Sequence, residues 1–185
     1  IKPGQDHNEK VVKRFEREAR ILSEVEHPAI VPIFEFGRQG KYLYYTMPLV
    51  EGESLRSLRK RRGAIPATEA ARILQPIASA LAIVHGSGYI HRDLKPGNVL
   101  IDENDQPDVA DFGIASRLDD DSTSPVHGEV VGTPSYMPPE QAQGRADLIG
   151  PVSDVYSLGA TLYFLLTGVP PFGGGDVMTT LMQVI

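Results

Sequence analysis

The sequence predicts an α+β molecule with two unequal lobes, a small β-rich one over 1–47 and a mostly helical one over 54–185. Three observations carry this. An early amphipathic helix is followed by two β-branched and aromatic runs, the remainder reads chiefly as helix, and a polar, glycine-containing passage at 48–53 divides the two.

The elements follow in order. Ile1-Lys2-Pro3-Gly4 reads as the end of a strand entering a turn. Asp6 and Glu9 have capping-box spacing, and Val12, Phe15, Ala19 and Leu22 recur at helical intervals, so a helix is expected over Asn8–Val25, ended before His27-Pro28. Ile30–Phe36 and Tyr42–Met47 are strand-like runs separated by Gly37–Lys41, which predicts a hairpin, with Pro32 at an edge or end. Ser54 is placed to cap a short basic helix reaching Arg62. Thr68 opens a longer helix with Ala71, Leu74, Ala78, Leu81 and Val84 on one face, closing near Gly86 and Gly88. Pro76 bends that helix or sits on its exposed side. Two short strands, Val99–Ile101 and one including Val109-Ala110, flank an acidic turn. Ser116–Gly132 is loop-like, and its length marks it as functional or mobile. Ser153–Leu166 reads as a buried helix stopped by Gly168 and Pro170-Pro171, and Asp176–Ile185 as the start of another. There is no internal repeat.

Composition narrows the class. With 41% apolar and 23% charged residues the chain can bury a core. A net charge of −6 argues against a dedicated nucleic-acid binder, and the basic clusters at Lys10–Arg20 and Arg56–Arg62 read as solvated helix faces. The chain has no cysteine, which excludes disulfides and thiolate metal sites and allows a reducing compartment. The longest apolar-looking run, Val155–Leu166, is too short to span a bilayer, no signal peptide opens the chain, and a cytoplasmic location is expected. The first residue is not methionine, and the expectation is an excised piece of a longer protein.

The chemistry is concentrated in Ile90-His91-Arg92-Asp93-Leu94-Lys95-Pro96-Gly97-Asn98-Val99-Leu100 and in Asp111-Phe112-Gly113. A base-like carboxylate, a cation, an amide and a second carboxylate in a short window are what phosphoryl transfer needs: a group to orient the attacking hydroxyl, counter-charge, and oxygen ligands for magnesium. Any one of these residues could instead serve a turn, since Asp, Asn, Gly and Pro favour loops for conformational reasons. The turn alternative does not explain their order. Two strands joined by the acidic turn would bring Asn98 and Asp111 to one end of a hairpin, where both oxygens could reach one magnesium ion.

This ordered set resembles the H-R-D-L-x-x-x-N catalytic loop and D-F-G element of serine/threonine protein kinases, and the likeness extends over nearly the whole chain. The resemblance implies a two-lobed protein-kinase-like fold with an incomplete small lobe, Mg-ATP as cofactor and a protein serine or threonine hydroxyl as acceptor. It makes Asp93 the catalytic base, Lys95 a point charge beside the moving phosphate, and Asn98 and Asp111 the Mg2+ ligands. Phe112 would join a buried stack with Leu22, Ile33 and His91. By the residues alone Glu18 is a solvated helix residue. The resemblance makes it the partner of the strand lysine that grips the phosphates, a lysine expected just before Ile1, as is the glycine-rich loop. The piece alone is therefore expected to have little or no activity. Met47 would lie behind adenine, with the Pro48 carbonyl and Val50 amide as edge contacts and Leu100 as the floor.

Gly132–Glu140 resembles the end of the family's activation segment, with Pro138 replacing the usual alanine. Thr133 would hydrogen-bond near Asp93 and Lys95, and Glu140 would bind an arginine. Asp154 would brace the backbone at His91-Arg92. Gly97 and Asp108 depart from the family's frequent glutamate and basic residue. Phosphorylation at Ser122, Thr123 or Ser124 would offer Arg92 a bidentate partner. The runner-up reading is a catalytically inactive kinase-like scaffold, and a third is a small-molecule phosphotransferase of related fold.

Overall fold

The computed structural model describes residues 9–40, 42–112 and 134–185. Ile1–Gly4, the Asp6 cap, the loop Ser116–Gly132 with its three candidate hydroxyls, and Thr133 lie outside the described residues.

Helix α1 spans Glu9–Ser23 and buries Phe15, Ala19 and Leu22 of the predicted stripe, with Val12 half-buried. Its last turn tightens as Val25 N donates to Leu22 O at 3.3 Å, which ends the helix before His27-Pro28. Strands β1 (Glu35–Gln39) and β2 (Tyr42–Thr46) form the expected antiparallel hairpin, with Glu35 opposite Thr46 and Gln39 opposite Tyr42. The strand expected over Ile30–Phe36 is corrected. Pro32 has no N–H, and the run divides there. Its later part enters the hairpin, with Phe34 N donating to Thr46 O at 2.8 Å, while Ile30 bridges in parallel to Val109 and Val31 N donates to Val109 O at 3.1 Å. That bridge ties the chain before the hairpin to a second sheet.

The second sheet has the order β3-β4-β5, from Gly52–Ser54, Val99–Asp102 and Pro107–Val109, antiparallel throughout. At Gly52 a Cβ would come within 2.0 Å of Ile101 O, so this close pairing requires glycine. Ser54 then caps α2 (Leu55–Arg62), its Oγ accepting from Ser57 N at 3.2 Å.

Helix α3 (Ala67–Gly86) buries Ala70, Ile73, Leu74, Ile77, Ala80, Leu81 and Val84. The predicted face is rotated: Ala71 and Ala78 are exposed. Alanine fits either side of a helix, whereas Ile73 and Ile77 lose more by exposure, so they set the phase. Pro76 sits half-buried inside the helix. Short α4 (Pro139–Ala142) precedes α5 (Pro151–Thr167), which begins with proline at its first position and stops at left-handed Gly168, φ 86°. Asp176 caps α6 (Val177–Val184) through Thr179 N at 2.7 Å. One contiguous core runs from Phe15 and Leu43 through Ile77 and Val99 to Leu165. Among the described residues no helix is long and apolar enough to cross a membrane.

Candidate active site

The loop between α3 and β4 is held from below. Asp154, on α5 and fully buried, accepts from His91 N and Arg92 N at 2.8 Å each, and His85 Nε2 lies 2.8 Å from the same carboxylate. A buried carboxylate is tolerated only with several such partners. The brace expected from Asp154 is present. Arg92 adopts φ 65°, a left-handed turn that the two fixed N–H groups help to maintain. His91 is fully buried and accepts from Asp93 N through Nδ1 at 3.3 Å. Burial pushes its pKa below the usual imidazole value. Its ring lies 4.6 Å from that of Phe112, centroid to centroid, and Tyr89 meets Phe112 edge-on at 6.3 Å.

The upper face carries the chemistry-bearing groups. Lys95 Nζ donates to Asp93 Oδ2 at 2.6 Å, and Asn98 Nδ2 donates to Asp93 O at 2.8 Å and to Oδ2 at 3.0 Å. Among the described residues Asp93 Oδ1 has no hydrogen-bond partner. With Nδ2 of Asn98 committed to donation, its Oδ1 is the free acceptor.

Asn98 and Asp111 do come to the same end of the β4–β5 hairpin: Val99 opposes Val109, and Ala110 N donates to Asn98 O at 2.9 Å. Asp111 is exposed at φ 53°, and Tyr45 Oη donates to its Oδ1 at 3.0 Å. Burial, then the Asp111 charge and hydrogen bond, raise the Tyr45 hydroxyl well above its ordinary value, so it stays a donor. Tyr45 is a contact that the sequence reading missed. Only its place in an aromatic strand before Met47 hinted at it.

Leu22, Ile33 and Phe112 line one cavity together with Val31, Tyr45, Met47, Ala110 and Asp111, and with His91 they form the expected stack. Glu18 is 6% exposed, so the solvated alternative does not hold. Met47 is 41% exposed and borders that cavity, while Pro48 and Val50 are half-buried beyond it. Leu100 is half-buried on β4 between Ser54 and Asp108.

A second, polar cleft is lined by Arg92, Asp93, Leu94, Lys95, Tyr136, Met137, Gln141 and Ser157. Its outer wall is fastened to α5, since Ser157 Oγ donates to Tyr136 O at 3.0 Å and Ser153 Oγ to Glu140 Oε1 at 2.5 Å. Ser153 thus holds Glu140, the residue expected to meet an arginine. Pro138 fits as an extended N-cap of α4, φ −72° and ψ 154°, where no N–H is needed. Neither serine contact was anticipated, because spacing along a helix does not say what faces it.

The chain belongs to the protein kinase domain family, whose model matches residues 1–185. It is 45% identical over 169 residues to the serine/threonine-protein kinase pkn2 of Myxococcus xanthus, covering 89% of this chain and 20% of that protein. It is 40% identical over 181 residues to the serine/threonine-protein kinase PknA of Mycobacterium tuberculosis, covering 94% and 41%. The crystal structure of Rad53 1-466 in complex with AMP-PNP superposes with a TM-score of 0.75 at 28% identity, covering 92% of this chain and 42% of that one. The chain therefore spans well under half the length of these curated relatives.

The donor set fits magnesium. Asn98 and Asp111 offer hard oxygens at one hairpin end, and among the described residues no cluster of three or more His, Cys, Asp or Glu forms a protein cage. A magnesium site completed by phosphate oxygens needs no such cage.

Proposed function

We propose that the protein carrying this domain transfers the γ-phosphoryl group of Mg-ATP to serine and threonine hydroxyls of proteins. The observation that carries the reading is the fixed Asp93–Lys95–Asn98 arrangement beside Asp111, with Asp93 Oδ1 left open among the described residues. The names of the serine/threonine kinase relatives support it.

In this reading Asp93 Oδ1 accepts the hydrogen bond of the acceptor hydroxyl, aligns it for in-line attack and takes its proton. Lys95, already 2.6 Å from Oδ2, stands as a compact positive charge beside the moving phosphoryl. Asn98 Oδ1 and Asp111 are the proposed holders of Mg2+, which when bound neutralises charge on the phosphate oxygens. Tyr45 aims the Asp111 carboxylate. Glu18 is proposed as partner of a phosphate-gripping lysine. Met47, the Pro48 carbonyl, the Val50 amide and Leu100 are proposed to frame adenine, and Thr133 to bond near Asp93. The cytoplasm, where ATP is plentiful, is the proposed location.

The test is transfer of labelled γ-phosphate from ATP to a serine-containing protein by the full-length protein. Transfer abolished by Asp93→Asn, with nucleotide binding retained, is the expected result. Transfer that survives Asp93→Asn would overturn the assignment.

A further inference from the structure

Helix α2 carries five cations, Arg56, Arg59, Lys60, Arg61 and Arg62, and they are not equivalent. Arg59 Nε donates to Leu165 O at 2.9 Å, at the C-terminal end of α5. Arg61 is paired with Glu53 at 2.5 Å, and Arg62 with Glu69 at 2.7 Å. Those three fasten the helix to its surroundings. Arg56 and Lys60 are exposed and, among the described residues, neither has an ion pair or side-chain hydrogen bond. Four positions apart, they lie one turn from each other on one face of the helix.

That face starts at the substrate cleft. Arg56 N donates to Pro96 O at 3.0 Å, which seats the first turn of α2 directly on the loop holding Asp93, Lys95 and Asn98. The Arg56 charge is also felt at the hydroxyl of Tyr136, a residue lining the same cleft as Asp93 and Lys95. Glu53, just before the helix, is already engaged by Arg61. Gly97, next along the loop, contributes no charge, and a Cβ there would meet open space. A peptide laid across the cleft past Pro96 therefore meets two positive side chains that no carboxylate among the described residues pairs.

Resting on the kinase reading above, we propose that Arg56 and Lys60 determine specificity, selecting protein substrates with aspartate or glutamate flanking the acceptor hydroxyl. Neither residue touches the reacting atoms. Their contribution is to capture and register the peptide, so it falls on KM and leaves kcat in place.

The experiment uses the full-length protein and serine peptides in which each flanking position is varied among glutamate, alanine and lysine. Exposed ion pairs of this kind change binding by about threefold to fivefold each. The wild type is expected to favour a glutamate flank over alanine by that factor in kcat/KM, mainly through KM, with the preference shrinking as salt is raised. The double variant Arg56→Ala/Lys60→Ala should lose the preference and keep its rate on alanine-flanked peptide. Arg56→Glu/Lys60→Glu should favour the lysine flank, and Arg56→Lys/Lys60→Arg should restore the wild-type order. An unchanged glutamate-to-lysine ratio in the Glu variant, with alanine-peptide turnover intact, overturns the inference and leaves the kinase reading standing. Equal loss on all peptides also overturns it, since that marks a structural role. No phosphorylation of any protein or peptide by the wild type instead overturns the kinase reading on which it rests.

Discussion

Asp93 and Asp154 serve the same loop from opposite sides, and their surroundings differ in kind. Asp154 is fully buried, and both of its oxygens are engaged by groups the fold fixes: two backbone N–H donors and the His85 ring. Asp93 keeps 32% of its side chain exposed, commits one oxygen to Lys95 and Asn98, and among the described residues leaves the other open. The Asp154 carboxylate is buried and satisfied within the protein. The upper face is organised yet incomplete, which is the condition of a group that completes its hydrogen bonding with substrate. On the proposed function, identical side chains thus divide into a scaffold role and a chemical role through their partners.

The largest effect expected is on catalysis. Asp93→Asn in the full-length protein should lower phosphotransfer by about 10²- to 10⁴-fold, the range attributed to a positioned acid–base group. A rate assay with protein substrate measures it, and near-normal turnover would remove the contrast.

The largest stability effect belongs to the other aspartate. Asp154→Ala leaves the His91 and Arg92 amides buried without their acceptor, and a loss of about 3–5 kcal/mol is expected in urea unfolding. A loss below about 1 kcal/mol would mean water substitutes for the carboxylate.

Tyr45→Phe sharpens the comparison on a third aspartate. Asp111 has one oxygen held by Tyr45 and is otherwise exposed, so it lies between the two extremes. Removal of one hydrogen bond to a charged group predicts weakening of Mg-ATP binding by about tenfold with the fold preserved. Calorimetric titration of Mg-ATP gives the number, and unchanged affinity would show that Asp111 needs no aim.

Acid should act on the lower face. Burial depresses the His91 pKa, so the unfolded chain takes up a proton near its ordinary value of about 6.5 while the folded one resists it. Stability is fully present above that pH and declines as pH falls below it. Comparing unfolding midpoints at pH 7.5 and 5.5 for wild type and His91→Phe should show a smaller acid loss in the variant. Equal losses would assign the acid sensitivity elsewhere.

The smallest effect is at Asp108, whose pKa is raised by burial and then by the Asp102 charge. The folded state holds its proton more readily than the unfolded chain does, so the ionised form costs stability at neutral pH. Asp108→Asn should stabilise by less than about 0.5 kcal/mol at pH 7, and the gain should fade as pH approaches about 4. Destabilisation at pH 7 would contradict this.

What was legible in the sequence follows the same division. The upper face is written in a contiguous stretch, His91 to Asn98, and the hairpin to Asp111 is short enough for spacing alone to bring the ends together. Ser54, Gly168 and Asp176 announced their helix ends through local chemistry. The contacts that were missed cross the chain: Tyr45 to Asp111, His85 to Asp154, Ser153 to Glu140. No local pattern encodes which polar side chain a fold will bring opposite another. The phase of α3 failed for a related reason, since Ala71 and Ala78 fit the helical period but carry too little apolar surface to fix a face. The run Ile30–Phe36 was read as one strand because its apolar residues are continuous, whereas Pro32 splits it between two sheets.

The division between the two faces is tested most directly by the urea midpoints of Asp93→Asn and Asp154→Ala, measured side by side on the full-length protein with circular dichroism. The prediction is that Asp93→Asn unfolds with the wild type while Asp154→Ala unfolds at markedly lower urea. Equal shifts in both variants would contradict it, because Asp93 would then belong to the scaffold as Asp154 does.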